Sequence, residues 1–192
     1  MYGYLVPFLV YIITTPLVNY GYMLIIRFFL VLSLILAFRE YYKFKLKLEF
    51  FPVLIGVIIF LFWVLLDGYY PLIGKTYYAV GNNILLIFRI LSFVAIAPVV
   101  EEFFVRNFLA RILINNNWKK VKLGTFTTAS FVMTTLFFGF SHNRWLPGLI
   151  AGALLNYVMS KKKNMGSVIL AHATANALLA AYIIYTGSWN FW

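Results

Sequence analysis

Long apolar blocks separated by short polar breaks set the pattern of this chain. They cover approximately Tyr4 to Val18, Tyr22 to Phe38, Phe51 to Leu66, Ile84 to Ile114 with interruptions, Leu123 to Ser141, Leu146 to Ser160 and Met165 to Tyr185. A bilayer core of roughly 30 Å takes about 20 apolar residues per helix, and shorter spans are tolerated where flanking residues snorkel or the bilayer thins. The pattern predicts an all-α, polytopic transmembrane bundle of about seven helices. Asn82 and Asn83 make a helix start. From there the fourth block would extend roughly 46 Å at 1.5 Å per residue, more than one crossing. It must tilt, bend at Pro98 or leave its RNFLARI end in the interface.

Composition agrees: 64% of the 192 residues are hydrophobic and 11% charged, outside the range of soluble domains. The length suits one integral membrane domain, residues 1–192, with its polar motifs in a core of about 84–185. The absence of cysteine excludes disulfides, thiolate metal sites and a cysteine nucleophile. The first residues lack a basic n-region and a cleavage site, so the opening block reads as a retained span.

The formal net charge of +11 sits in short loops rather than on a soluble scaffold, which argues against nucleic acid as a partner. Arg39, Lys43, Lys45 and Lys47 follow the second block; Arg106, Arg111, Lys119, Lys120 and Lys122 surround the end of the fourth; Lys161, Lys162 and Lys163 follow the sixth. These are alternate loops, so the positive-inside rule predicts a multi-pass protein of the cell membrane, N-terminus cytoplasmic and C-terminus outside. The opposite loops carry only Lys75 and Arg144, and Arg27 and Arg89 are expected to snorkel from the outer ends of their spans. Tyr69, Tyr70, Tyr77, Tyr78, Trp145, Trp189 and Trp192 would form the outer aromatic belt. The segment REYYKFKLKLEFF alternates charged and apolar residues, as a short extended loop or, preferably, a basic strip on anionic lipid.

Of five acidic residues, Glu40, Glu49 and Asp67 fall in or beside loops where water solvates them. Glu101 and Glu102 fall at membrane depth, where ionisable residues face the bundle interior and mark function. Glu102 and Arg106, four apart, share a helical face and can pair. Glu101 points about 100° away with no basic residue at helical spacing. A buried unpaired carboxylate suits proton transfer, whereas a Glu102–Arg106 pair alone would serve only to join helices. The two histidines, His142 and His172, both fall in helical apolar runs, and His172 shares a face with Asn176, so both can donate into one cavity.

EEFFVR, FGFSH and HATAN fit the signatures EExxxR, FxxxH and HxxxN, in order and on different predicted helices. Over Pro98 to Asn176 the chain therefore resembles the CAAX-protease and bacteriocin-processing family of intramembrane glutamic proteases. It departs from many relatives at Asn107, where they have glycine. The resemblance implies hydrolysis of a peptide bond in a water-filled membrane cavity, with Glu101 and His142 activating water. The residues themselves permit Glu101 as general base, His142 orienting the same water, His172 and Asn176 as oxyanion donors, and Glu102 with Arg106 holding the geometry. A peptide or protein with a membrane-associated tail is then the substrate, the lipid bilayer the other partner, and no cofactor is required.

Two alternatives stand beside this reading. Glu101, Glu102, His142 and His172 are legitimate zinc ligands, but Arg106 would consume the charge of Glu102 and no HExxH helix is present. A non-catalytic transporter or immunity scaffold would also use intramembrane Glu and His, yet neither inverted repeats nor paired broken helices are visible.

Overall fold

The computed structural model describes residues 1–19, 21–74 and 82–192. Among them seven helices and no strands are found: α1 Tyr2–Ile13, α2 Met23–Ala37, α3 Phe50–Leu65, α4 Asn83–Ile112, α5 Thr128–Phe140, α6 Trp145–Lys162 and α7 Met165–Thr186. Two of these, α4 and α7, are long and apolar enough to cross a membrane by themselves. Side chains facing outward are also apolar: Phe29, Leu65, Ile87, Met133 and Phe140 are all exposed. Such a surface suits lipid rather than water. Lys75, Tyr77 and Tyr78 lie outside the described residues.

The helix ends follow local chemistry. Asn82 caps α4 by accepting from the Leu85 amide, as expected. The fifth helix starts at Thr128 rather than near Leu123. Gly124 makes a turn at φ +76°, and Thr127 and Ser130 then close a reciprocal capping box. Lys163 at φ 50° ends α6, and the Asn164 side chain caps α7 one residue later. At this end of the bundle the extended segment after α2 tucks Glu49 against Lys162 and Ser167, and Lys162 holds its carboxyl below the usual range. Neither Glu49 nor Asp67 is left to water alone, since Asp67 accepts from the buried Arg144 at 2.8 Å.

In the interior, α3 lies along α7, α5 lies along α6, and α4 threads between α7 and the α1–α2 pair. Val31, Ile59, Val100, Phe103, Phe138, Leu155 and Val168 form the shared core. The α3–α7 crossing is close because of Gly56: a Cβ there would stand 2.5 Å from the Ala171 carbonyl, beside His172. Gly56→Ala should therefore destabilise by about 1–3 kcal/mol through overpacking. A lowered melting temperature in detergent is the expected outcome, and an unchanged one would mean that the helices separate freely.

Candidate active site

Helix α4 carries the paired glutamates and is not a uniform α-helix. It widens to π geometry at Ser92–Ile96 and again at Phe103–Leu109, on either side of Ala97–Glu102. The first widening has a local cause. The Ala97 amide bonds to the Ser92 carbonyl, five residues back, so Phe93 would be the next acceptor in that register. Its donor would be Pro98, which has no N–H. The Asn176 side chain from α7 supplies the missing bond, with Nδ2 donating to the Phe93 carbonyl at 2.7 Å. Only one of the two amide hydrogens is thereby used, so Asn176 retains one for a ligand. Asn176→Ala should leave the Phe93 carbonyl unsatisfied at about 1–3 kcal/mol. Thermal unfolding would register this independently of activity, and an unchanged transition would show that another group takes its place.

The second widening keeps the Glu102–Arg106 pair on one face. Both are fully buried, with Arg106 Nη1 donating to Glu102 Oε1 at 3.2 Å and Nη2 to the Gly152 carbonyl of α6 at 3.2 Å. Arg106 Nε lies 3.1 Å from Glu102 Oε2 but lacks hydrogen-bond alignment, so the first contact is the directional one. Glu102 has a second partner that spacing along one helix could not show: His172 Nδ1 lies 2.8 Å from the same Oε1. One carboxylate thus ties α4 both to itself and to α7.

His142 is not within a helix. The α5 helix ends at Phe140 and Ser141 caps it, which places His142 in the following turn. Its Nδ1 lies 2.7 Å from the Phe138 carbonyl. A carbonyl only accepts, so Nδ1 carries the hydrogen and Nε2 of the neutral ring is left as an acceptor. By the same reasoning His172 commits Nδ1 to Glu102 and leaves Nε2 free. The Phe138 ring stands between these groups, 4.8 Å from the His142 ring, 5.6 Å from that of His172 and 4.5 Å from the Arg106 guanidinium. Its part in the site was legible only as the first letter of FxxxH.

Glu101, His142, His172 and Asn176 all line one cavity of about 280 Å³, whose wall also includes apolar side chains such as Ile59, Ala151 and Leu155. Glu101 forms neither a hydrogen bond nor an ion pair with any described residue. Arg27 is a correction to the sequence reading: it does not snorkel but is buried at 8% exposure and lines the same cavity, as does Arg89.

The arrangement defines a class before it defines a family. An apolar helical protein that gathers its few buried polar groups around an internal cavity is built as a membrane-embedded enzyme. Residues 83–178 match the family model described as type II CAAX prenyl endopeptidase Rce1-like, half of the chain and all three motifs. The chain belongs to this family, which makes it a membrane-embedded CAAX-type protease, a hydrolase. No curated protein and no solved structure matches it.

Proposed function

We propose that the protein is an intramembrane endopeptidase that cleaves a peptide bond of a membrane-associated substrate, using water activated by Glu101 and His142. The observation that carries this reading is the contrast between the two glutamates. Glu102 is saturated by Arg106 and His172, whereas Glu101 faces the cavity uncommitted.

In the proposed reaction Glu101 accepts one proton of the water and His142 Nε2 accepts a hydrogen bond from the other. The water oxygen bonds to the carbonyl carbon. The resulting oxyanion takes hydrogen bonds from the remaining Asn176 N–H and, when His172 is protonated, from its Nε2–H. Glu101 then returns its proton to the departing nitrogen as the C–N bond breaks. Glu102 acts through His172 and Arg106, without touching the substrate.

A metal-assisted route would recruit Glu102, which already carries a guanidinium counter-charge. The deciding experiment uses purified protein in liposomes with a prenylated CAAX peptide. Mass spectrometry should show one cleaved bond, at a rate unaffected by chelator. Loss of cleavage on chelation, with recovery on adding zinc, would favour the metal route. The motif-bearing helices would serve a multi-pass protein with its N-terminus cytoplasmic, and accessibility labelling at Lys162 and Trp192 should report opposite sides.

A further inference from the structure

The segment that joins α2 to α3 takes no part in the site. From Lys43 to Leu48 it is neither helix nor strand, and its backbone bonds to no other described backbone group. Both ends are fixed. Tyr42 is buried with its ring 4.9 Å from that of Phe103 on α4, and Phe44 meets the same ring at 5.9 Å. Glu49 pairs with Lys162 and accepts from the Ser167 hydroxyl at 3.2 Å. Between these anchors the Lys45 carbonyl and Leu46 lie on Gly166, in the first turn of α7, so closely that any side chain there would collide. Outward from this contact Lys43, Lys45 and Lys47 are exposed in alternation with Phe44, Leu46 and Leu48, the last at 87%.

The same end of the bundle is strongly basic. Gly124, in the connection from α4 to α5, packs on the Met159 carbonyl and Lys163, which brings Lys119, Lys120 and Lys122 to the side of Lys161 and Lys163. All five are exposed. The carboxylates here, Glu40 and Glu49, are already taken by Lys43 and Lys162, so Lys45 and Lys47 have no carboxylate partner among the described residues. Water would suit these charges but not Leu46, Leu48 and Phe50. Hydrocarbon would suit the apolar side chains but not an unpaired backbone. The boundary between headgroups and acyl chains suits both, and negative headgroups match the charge. Continuity points to lipid rather than to a protein partner: Phe50 begins an exposed apolar stripe that continues through Leu54, Leu61 and Leu65 at helical spacing along α3.

We propose that residues 43–50 form an interfacial strap that docks on anionic lipid headgroups, with Lys45 and Lys47 on phosphate and Leu46, Leu48 and Phe50 in the acyl boundary. The strap lies across α4 and α7, the helices that carry Glu101, His172 and Asn176. Docking therefore braces the cavity from the membrane surface.

The chain contains no cysteine, so Leu48→Cys can carry a single polarity-sensitive fluorophore. The probe is a nanodisc of phosphatidylcholine with increasing phosphatidylglycerol. Emission should shift to the blue as the anionic lipid is added, and high salt should weaken the response. Lys45→Gln should need roughly fivefold more phosphatidylglycerol for the same shift, and Lys45→Gln with Lys47→Gln should lose the dependence. The same label at Tyr69→Cys, exposed beyond the far end of α3, should respond little. The melting temperature of the unlabelled protein should rise with phosphatidylglycerol, as for any ligand of the folded state, and the double lysine variant should lose that rise. An equal shift in neutral nanodiscs, or an unchanged dependence in the double variant, would overturn the proposal. So would a shift on adding polyglutamate with none from phosphatidylglycerol, because the strap would then be a protein-docking surface. Neither readout uses hydrolysis, so the strap and the endopeptidase reading stand or fall separately.

Discussion

Glu101→Gln should reduce peptide hydrolysis by about 10²-fold or more while leaving a folded protein. The substitution keeps the size and most of the hydrogen-bonding capacity of the side chain. It removes only the ability to take and return a proton. Stability should survive because Glu101 bonds to no described side chain, so its neutralisation breaks no contact. Removing an unpaired carboxylate from an apolar cavity can even stabilise, since its desolvation is no longer opposed by folding. The measurements are the melting temperature and the initial rate on the prenylated peptide, compared with wild type in the same liposomes. His142→Ala should show the same pattern of lost rate, with a small stability change from the freed Phe138 carbonyl. Full activity in Glu101→Gln would end the glutamate-activated-water reading and leave the carboxylate as counter-charge to Arg27 and Arg89.

The sequence disclosed different layers of this site to different degrees. Helix number and order were legible because apolar blocks of sufficient length have few alternatives in lipid. The Glu102–Arg106 pair was legible because both residues lie on one helix, where spacing sets geometry. The Glu102–His172 contact was not, since it joins residues 70 apart and depends on how α4 and α7 pack. The π widening was hidden for a related reason. Pro98 announces a disturbed helix, but only Asn176 arriving at the Phe93 carbonyl shows how the disturbance is resolved. Arg27 misled because proximity to a helix end predicts snorkelling, while the end of α1 supplied acceptors that turned it inward. His142 misled because an apolar run continues to Phe140 and gives no sign of where backbone bonding stops.

Arg106→Ala should cost about 3–5 kcal/mol, the largest stability change expected from a single substitution in the site. Both partners of this pair are fully buried, so deleting the guanidinium leaves the Glu102 carboxylate with only His172 and no water. The Gly152 carbonyl loses its donor as well, and Phe138 loses the cation over its ring. These losses fall on α4, α5 and α6 together, so unfolding should become less cooperative as well as earlier. Glu102→Gln should behave differently. It retains an acceptor for Arg106 but strands a buried positive charge, and it loosens His172 at Nδ1. Stability should fall, and kcat per folded molecule should fall too, because His172 no longer presents Nε2 in a fixed direction. In Arg106→Ala, by contrast, the surviving folded fraction should keep more of its kcat. The double variant Arg106→Gln with Glu102→Gln removes both charges, and its cost should be well below the sum of the single changes. Additive costs would show that the two residues act independently, and the pair would then be incidental to how α4 is held.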